Sequence, residues 1–130
     1  MKRILVILMC FFLLACERHV LLQENSGKTL ELKKGERFQI DLPENPSTGY
    51  SWEFLTEPKK SNVVREEKSE YISKKGPMLG AGGRKIFTYT ATEKGKVELR
   101  GFYKRNYENI FYLDAMGDPR VRYTIIVNEK

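Results

Sequence analysis

The chain has 130 residues, 41% of them hydrophobic and 12% aromatic, with a formal net charge of +6. That suits one domain with an apolar core of its own. Two cysteines and a single histidine exclude a disulfide framework, a zinc site of His and Cys, and a Ser–His or Cys–His nucleophile pair. Basic and acidic residues are mixed along stretches such as "REEKSE" and "LELKKGERF". This is the pattern of a solvated surface, and nucleic acid is not an expected partner.

In chain order, "MKRILVILMCFFLLAC" begins with Lys2 and Arg3 and runs apolar from Ile4 to Ala15. A basic head, a short apolar run and a small residue at its end predict a signal peptide over residues 1–15. The ending "LLAC" resembles the bacterial lipobox, which implies lipid on Cys16 as the first residue of the mature chain. The expected location is therefore exported and lipid-anchored to the bacterial cell envelope, either periplasmic or surface-facing. Buried acyl chains contribute about 0.8 kcal/mol per methylene to such an anchor. Cys10 leaves with the leader and Cys16 carries lipid, so no thiol remains for chemistry. Setting Lys2 and Arg3 aside leaves a formal charge of about +4. The basic segments "KKSNVVR" and "SKKG" are candidates for contact with anionic headgroups or an acidic partner.

Residues 16–27, with "ERHVLLQENSGK", read as a lipidated tether, and residues 28–130 as the domain. "KTLEL" is a first strand. "ERFQIDL" alternates Phe38, Ile40 and Leu42 with polar residues, the pattern of a half-buried strand. "YSWEF" puts Tyr50, Trp52 and Phe54 on one face, with Trp52 in the core. "NVVREEKSEYI" is a weaker strand. "RKIFTYTA" and "KVELRGFY" follow across the turn signal "EKG", and "VRYTIIV" closes the chain with Val121, Tyr123, Ile125 and Val127 on one side. No segment carries a capped helical stripe. The predicted fold is all-β, an antiparallel sandwich of about seven to eight strands.

Three loops stand out: "PENPSTG", then "KKGPMLGAGG" from Lys74 to Gly83, then the stretch from "KRNYEN" to "MGDP". Loops at alternate connections of a sandwich gather at one end and form a composite surface on a rigid scaffold. Catalytic groups are scarce. "GAGG" lacks the Lys-Ser/Thr of a phosphate-binding loop. Glu66, Glu67, Asp114 and Asp118 read as surface charges and not as an acid–base pair. No enzyme activity, cofactor or metal is expected, and an envelope hydrolase using carboxylates is the least favoured reading.

"NPSTGYSW", Asn45 to Trp52, resembles the first conserved loop of the chagasin-type inhibitors of papain-like cysteine peptidases. "GAGG", Gly80, Ala81, Gly82 and Gly83, resembles the second motif of that family. Arg105, Asn106 and Tyr107 stand where the family carries Arg-Pro-Trp, a departure that removes a stiffening ring and some apolar area. The resemblance runs from about Lys28 to Val127. It implies an immunoglobulin-like sandwich and reversible, competitive inhibition by a three-loop wedge in the active-site cleft. Asn45, Pro46, Ser47, Thr48, Gly49 and Tyr50 would cover the catalytic cysteine. Leu79 to Gly83 and Arg105 to Tyr107 would grip the cleft on either side. Pro46 sets its own φ and biases Asn45 toward extended geometry, Gly49 permits a backbone angle other residues resist, and Ser47 and Thr48 offer hydroxyls to the cleft. Such a loop is expected to plug the cleft uncut. The implied partners are a papain-like cysteine peptidase and, through Cys16, a membrane, with the protein itself a monomer. The other reading is a non-inhibitory immunoglobulin-like envelope lipoprotein that binds another protein.

Overall fold

The structure, a computed structural model, describes residues 19–73 and 82–129. Residues 1–18, with the expected leader and Cys16, and the segment 74–81, with Lys74, Lys75, Leu79, Gly80 and Ala81, lie outside the described residues. Among the described residues there are eight strands: β1 (His19–Leu22), β2 (Thr29–Lys33), β3 (Arg37–Glu44), β4 (Tyr50–Glu57), β5 (Val64–Ser73), β6 (Gly83–Ala91), β7 (Gly95–Arg105) and β8 (Val121–Asn128). A short helix, α1 (Ile110–Ala115), precedes β8. The strands form two four-stranded sheets, ordered β1-β3-β6-β5 and β2-β8-β7-β4, and the architecture is an immunoglobulin-like sandwich.

The alternation of apolar residues builds the core directly, because successive side chains of a strand point to opposite faces. Val121, Tyr123, Ile125 and Val127 of β8 face Phe38, Ile40 and Leu42 of β3, and all are buried in one cluster with Val97, Leu99 and Phe87. Phe54 meets Phe87 edge-on with ring centroids 5.0 Å apart, and Phe38 stacks on Tyr89 at 5.2 Å. Trp52 belongs to this core, as its position on the "YSWEF" face predicts. The cluster draws on described residues from Leu21 of β1 to Val127 of β8.

Four expectations need correction. The segment read as a tether contains β1, which pairs in parallel with β3 from His19↔Phe38 to Leu22↔Asp41. Leu21 enters the core, so "HVLL" is a sheet edge and not a leash, and "KTLEL" is the second strand. The pairing is also not wholly antiparallel, since β2 runs parallel to β8, Leu30 opposite Ile125. His19 is part of β1, its Nε2 3.4 Å from Glu36 Oε2. Finally, a helix does form: Asn109 caps α1, its Oδ1 accepting hydrogen bonds from the amides of Phe111 (2.9 Å) and Tyr112 (3.4 Å). Arg100 holds the helix to β7 by donating to Asp114 Oδ1 at 3.0 Å. Phe102 of β7 is only 2% exposed although it stands apart from the inter-sheet cluster.

Burial pushes the Tyr123 phenol up to about 12, and its hydroxyl donates to the Leu22 carbonyl at 2.7 Å. Tyr89 is also raised, by burial first and then by the charge of Glu66. An unfolded tyrosine ionises near pH 10, so the unfolded state loses its proton first. The stability these groups contribute is whole below about pH 10 and declines as pH rises toward about 12. Urea midpoints measured from pH 8 to 12 should fall beyond pH 10, with a shallower decline in Tyr123→Phe.

Candidate functional site

The chain crosses from one sheet to the other between β3 and β4, and this crossing is the first of the three loops. Its ends are fixed by strand register: Glu44 opposes Gly83 of β6, and Tyr50 opposes Arg105 of β7. The loop Asn45–Gly49 is thereby flanked by the end of the second loop on one side and the start of the third on the other. The grouping that the sequence reading expects at one end of the sandwich follows from two register pairs.

The crossing loop is a closed hydrogen-bonded turn. Asn45 is extended (φ −128°, ψ 95°), as a residue before proline prefers, and Pro46 opens a short 3-10 turn, Pro46–Thr48. Asn45 Oδ1 accepts from the Ser47 amide at 3.2 Å and from Ser47 Oγ at 2.6 Å. Thr48 Oγ1 donates to the Asn45 carbonyl at 2.7 Å, and Gly49 ends the turn at φ 83°. The two hydroxyls expected to face a cleft thus spend their protons inside the loop. They stiffen the turn, and Thr48 Oγ1 also accepts from the Tyr50 amide at 3.4 Å. The Asn45 amide is held in turn by Tyr103, whose hydroxyl accepts from it at 3.2 Å.

On the β6 side, Gly82 (φ +80°) packs on the loop so closely that a Cβ there would lie 3.3 Å from the Glu44 carbonyl and 3.4 Å from Asn45 Cβ. At Gly83 a Cβ would fall 2.1 Å from the Ile72 carbonyl, a contact no side chain survives. Gly82 thus seats the start of β6 against the crossing loop, and Gly83 lets β6 lie against Ile72 and Ser73 of β5. Leu79, Gly80 and Ala81 lie outside the described residues.

On the β7 side a ladder of planar groups climbs from core to tip. Trp52 and Tyr103 are 4.9 Å apart, Tyr103 and Tyr50 stack at 5.4 Å, and the Arg105 guanidinium lies 4.8 Å from the Tyr50 ring centroid. Arg105 also donates to the Tyr107 hydroxyl at 2.9 Å, and that bond, the first of several favourable contacts, raises its pKa. The Glu108 carboxylate accepts from the Arg105 amide at 2.9 Å. Tyr107 is 74% exposed and Asn106 is exposed beside it. Arg105, Asn106 and Tyr107 therefore sit at the rim as an ordered turn even without a proline.

Sequence reading missed the supports beneath these residues. Glu44 is 5% exposed, and its Oε1 accepts from the Trp52 amide at 2.8 Å. A carboxylate of one sheet thus caps the edge strand of the other. Trp52 Nε1 donates to the Pro43 carbonyl at 2.8 Å. Lys104, 3% exposed, donates to the Arg105 carbonyl and lies 3.4 Å from Glu53. The strand pattern around Tyr103 and Trp52 hints at these ties, but their partners are distant in sequence. Among the described residues, no group of three or more His, Cys, Asp or Glu could hold a metal ion. Three of the four carboxylates considered for acid–base work are engaged elsewhere: Glu66 with Tyr89, Glu67 with Thr90, and Asp114 with Arg100.

An eight-stranded sandwich that displays a rigid Asn-Pro-Ser-Thr-Gly turn between two flanking loops is the layout of a protein that presents a surface to another protein. The chain belongs to the chagasin family of peptidase inhibitors, matching the description "Chagasin family peptidase inhibitor I42" over residues 31–126. It is 33% identical over 91 residues to chagasin of Trypanosoma cruzi, covering 67% of this chain and 81% of that protein. It is 32% identical over 87 residues to amoebiasin-1 of Entamoeba histolytica, covering 65% and 80% respectively. The crystal structure of the cysteine protease inhibitor EhICP2 from Entamoeba histolytica superposes with a TM-score of 0.69 at 19% identity, covering 85% of this chain and 95% of that one. The members of this family are peptidase inhibitors and not enzymes.

Glu44→Ala should leave the buried Trp52 amide without its acceptor and lower stability by about 1–3 kcal/mol, read from chemical denaturation. A loss below a few tenths would mean that the carboxylate is incidental to the crossing.

Proposed function

We propose that the chain is a reversible, competitive inhibitor of papain-like cysteine peptidases, with its three loops wedged into the active-site cleft. The observation that carries this reading is the Asn45–Gly49 turn, bonded to itself and flanked by the Gly82–Gly83 and Arg105–Tyr107 segments. A loop already held in one shape loses little conformational freedom on docking, which favours affinity. Gly49 and Pro46 leave only small groups at the tip, so backbone can approach a buried catalytic cysteine. Arg105 and Tyr107 supply the residue types that dominate binding energy at protein interfaces. A standard interface would bury about 800 Å² on each partner. The cysteine peptidase as target is supported by the resemblance to a cysteine protease inhibitor and by the loop motifs themselves. The lipobox-like "LLAC" supports export and anchoring of the mature protein to a bacterial envelope through Cys16.

The test is a titration of residues 17–130 against papain and a cathepsin L-type peptidase, following hydrolysis of a small substrate. The expected result is competitive inhibition that disappears when Asn45–Gly49 is replaced by a neutral linker. Thr48→Ala should weaken inhibition by about 1 kcal/mol through loss of one stiffening hydrogen bond, and Gly49→Val should weaken it further, because φ 83° strains a branched residue. Long incubation with excess peptidase should leave the loop uncut. A folded protein that inhibits neither enzyme would transfer the surface to a different partner, as the non-inhibitory lipoprotein reading holds.

A further inference from the structure

The end of the sandwich opposite the loops has a character of its own. It is built from the β2–β3, β4–β5 and β6–β7 connections, which are bonded to one another. The Gly35 amide donates to Ala91 O at 2.8 Å, the Lys34 amide to Asn128 O at 2.9 Å and the Thr92 amide to Val63 O at 2.8 Å. From this end project Lys33, Lys34, Lys59, Lys60, Lys94 and Lys96, all exposed. None of these lysines forms an ion pair among the described residues. Arg37 adds a further exposed cation. The carboxylates nearby include Glu36, Glu57, Glu93 and Glu129, with Glu67 close enough to Arg37 to feel its charge, and the six lysines and Arg37 outnumber these five. Glu36 is turned back on its own connection, where Oε1 accepts from the Lys33 amide at 2.6 Å and Oε2 lies against His19. Lys59 Nζ sits 5.9 Å from the centroid of the exposed Phe111 ring, so an aromatic side chain borders the cationic surface.

β1 enters at this same end, since His19 opposes Phe38 at the start of β3. Only Glu17 and Arg18 separate β1 from Cys16 in the sequence. The three residue steps from Cys16 to His19 reach about 10 Å at most, so lipid carried by Cys16 would bring this end to the bilayer.

We propose that the lysine-bearing end is a docking surface for a bilayer containing anionic phospholipid. Exposed lysines gain from the negative potential of such a surface, and an aromatic ring at the rim suits the headgroup layer. The choice of a membrane over other polyanions rests on the anchoring reading above. The eight residues of β3 then carry the peptidase-binding loops about 25 Å away from the surface, pointing outward.

The test uses the anchor-free protein from Glu17, which keeps the buried cluster from Leu21 to Val127. It is sedimented with phosphatidylcholine vesicles, with and without phosphatidylglycerol. Expected is retention on the anionic vesicles only, release at 1 M salt, where screening acts within about 3 Å, and roughly tenfold or greater weakening in the variant carrying Lys33→Gln, Lys34→Gln, Lys59→Gln and Lys60→Gln. That variant should keep the peptidase inhibition of the parent. If it fails to fold, Lys94→Gln with Lys96→Gln serves in its place. Equal retention on neutral vesicles, no retention, or undiminished retention of the folded variants overturns the proposal. So does retention on heparin without retention on vesicles, which would indicate a soluble polyanion. The anchor is tested separately by the mass of the mature full chain, and inhibition by the titration above, so each can fail without the others.

Discussion

The structure turns on a short crossing between two sheets. Within the five residues from Asn45 to Gly49 the chain leaves the end of β3 and enters the start of β4, at opposite layers of the sandwich. Strand register on either side leaves the crossing little freedom, because Glu44 is committed to Gly83 and Tyr50 to Arg105. Glu44 and Trp52 then bind the layers directly, one carboxylate and one indole N–H each reaching across. The exposed turn inherits its position from buried pairings beneath it. A loop placed this way has both ends fixed by the sheets that carry it.

The two flanks hold the crossing by different physics. On the β6 side the means is absence: Gly82 has no side chain and packs on Glu44 and Asn45, while Gly83 lets β6 close against Ile72 and Ser73 of β5. On the β7 side it is bulk, with Trp52, Tyr103, Tyr50 and Arg105 stacked in sequence toward the tip. Aromatic cross-strand neighbours of this kind stabilise a sheet pair as well as orienting what lies beyond it. In the third segment, Arg105 is held by the Tyr50 face, the Tyr107 hydroxyl and Glu108 together. Side-chain contacts thus order a stretch in which Asn106 stands where the family carries a proline.

Strand faces were legible in the sequence wherever apolar and polar residues alternate, as in β3 and β8, because that period is a local property. The conformation of the first loop was legible for the same reason, since Pro46 acts on Asn45 and Gly49 on its own φ. What escaped was non-local. "HVLL" lacks a long alternating pattern, and its status as a strand comes from β3, which supplies the partner. α1 depends on one capping asparagine and one bond from Arg100, neither visible as a helical stripe. The inward turn of the Ser47 and Thr48 hydroxyls could not be read from residue types that serve equally well facing outward. Glu44 looked like any charged strand residue until the other sheet was placed beside it.

The parallel pairing of β2 with β8 joins Leu30 to Ile125, almost the full length of the domain apart. Closing a contact at such separation costs chain entropy before any burial offsets it. The second sheet lacks an interior strand until Val121–Asn128 has been synthesised, because β8 lies between β2 and β7. A nascent chain therefore has no finished sandwich to lock into before β8 emerges. However early the other strands are made, topology alone makes the arrival of β8 the event that completes the fold.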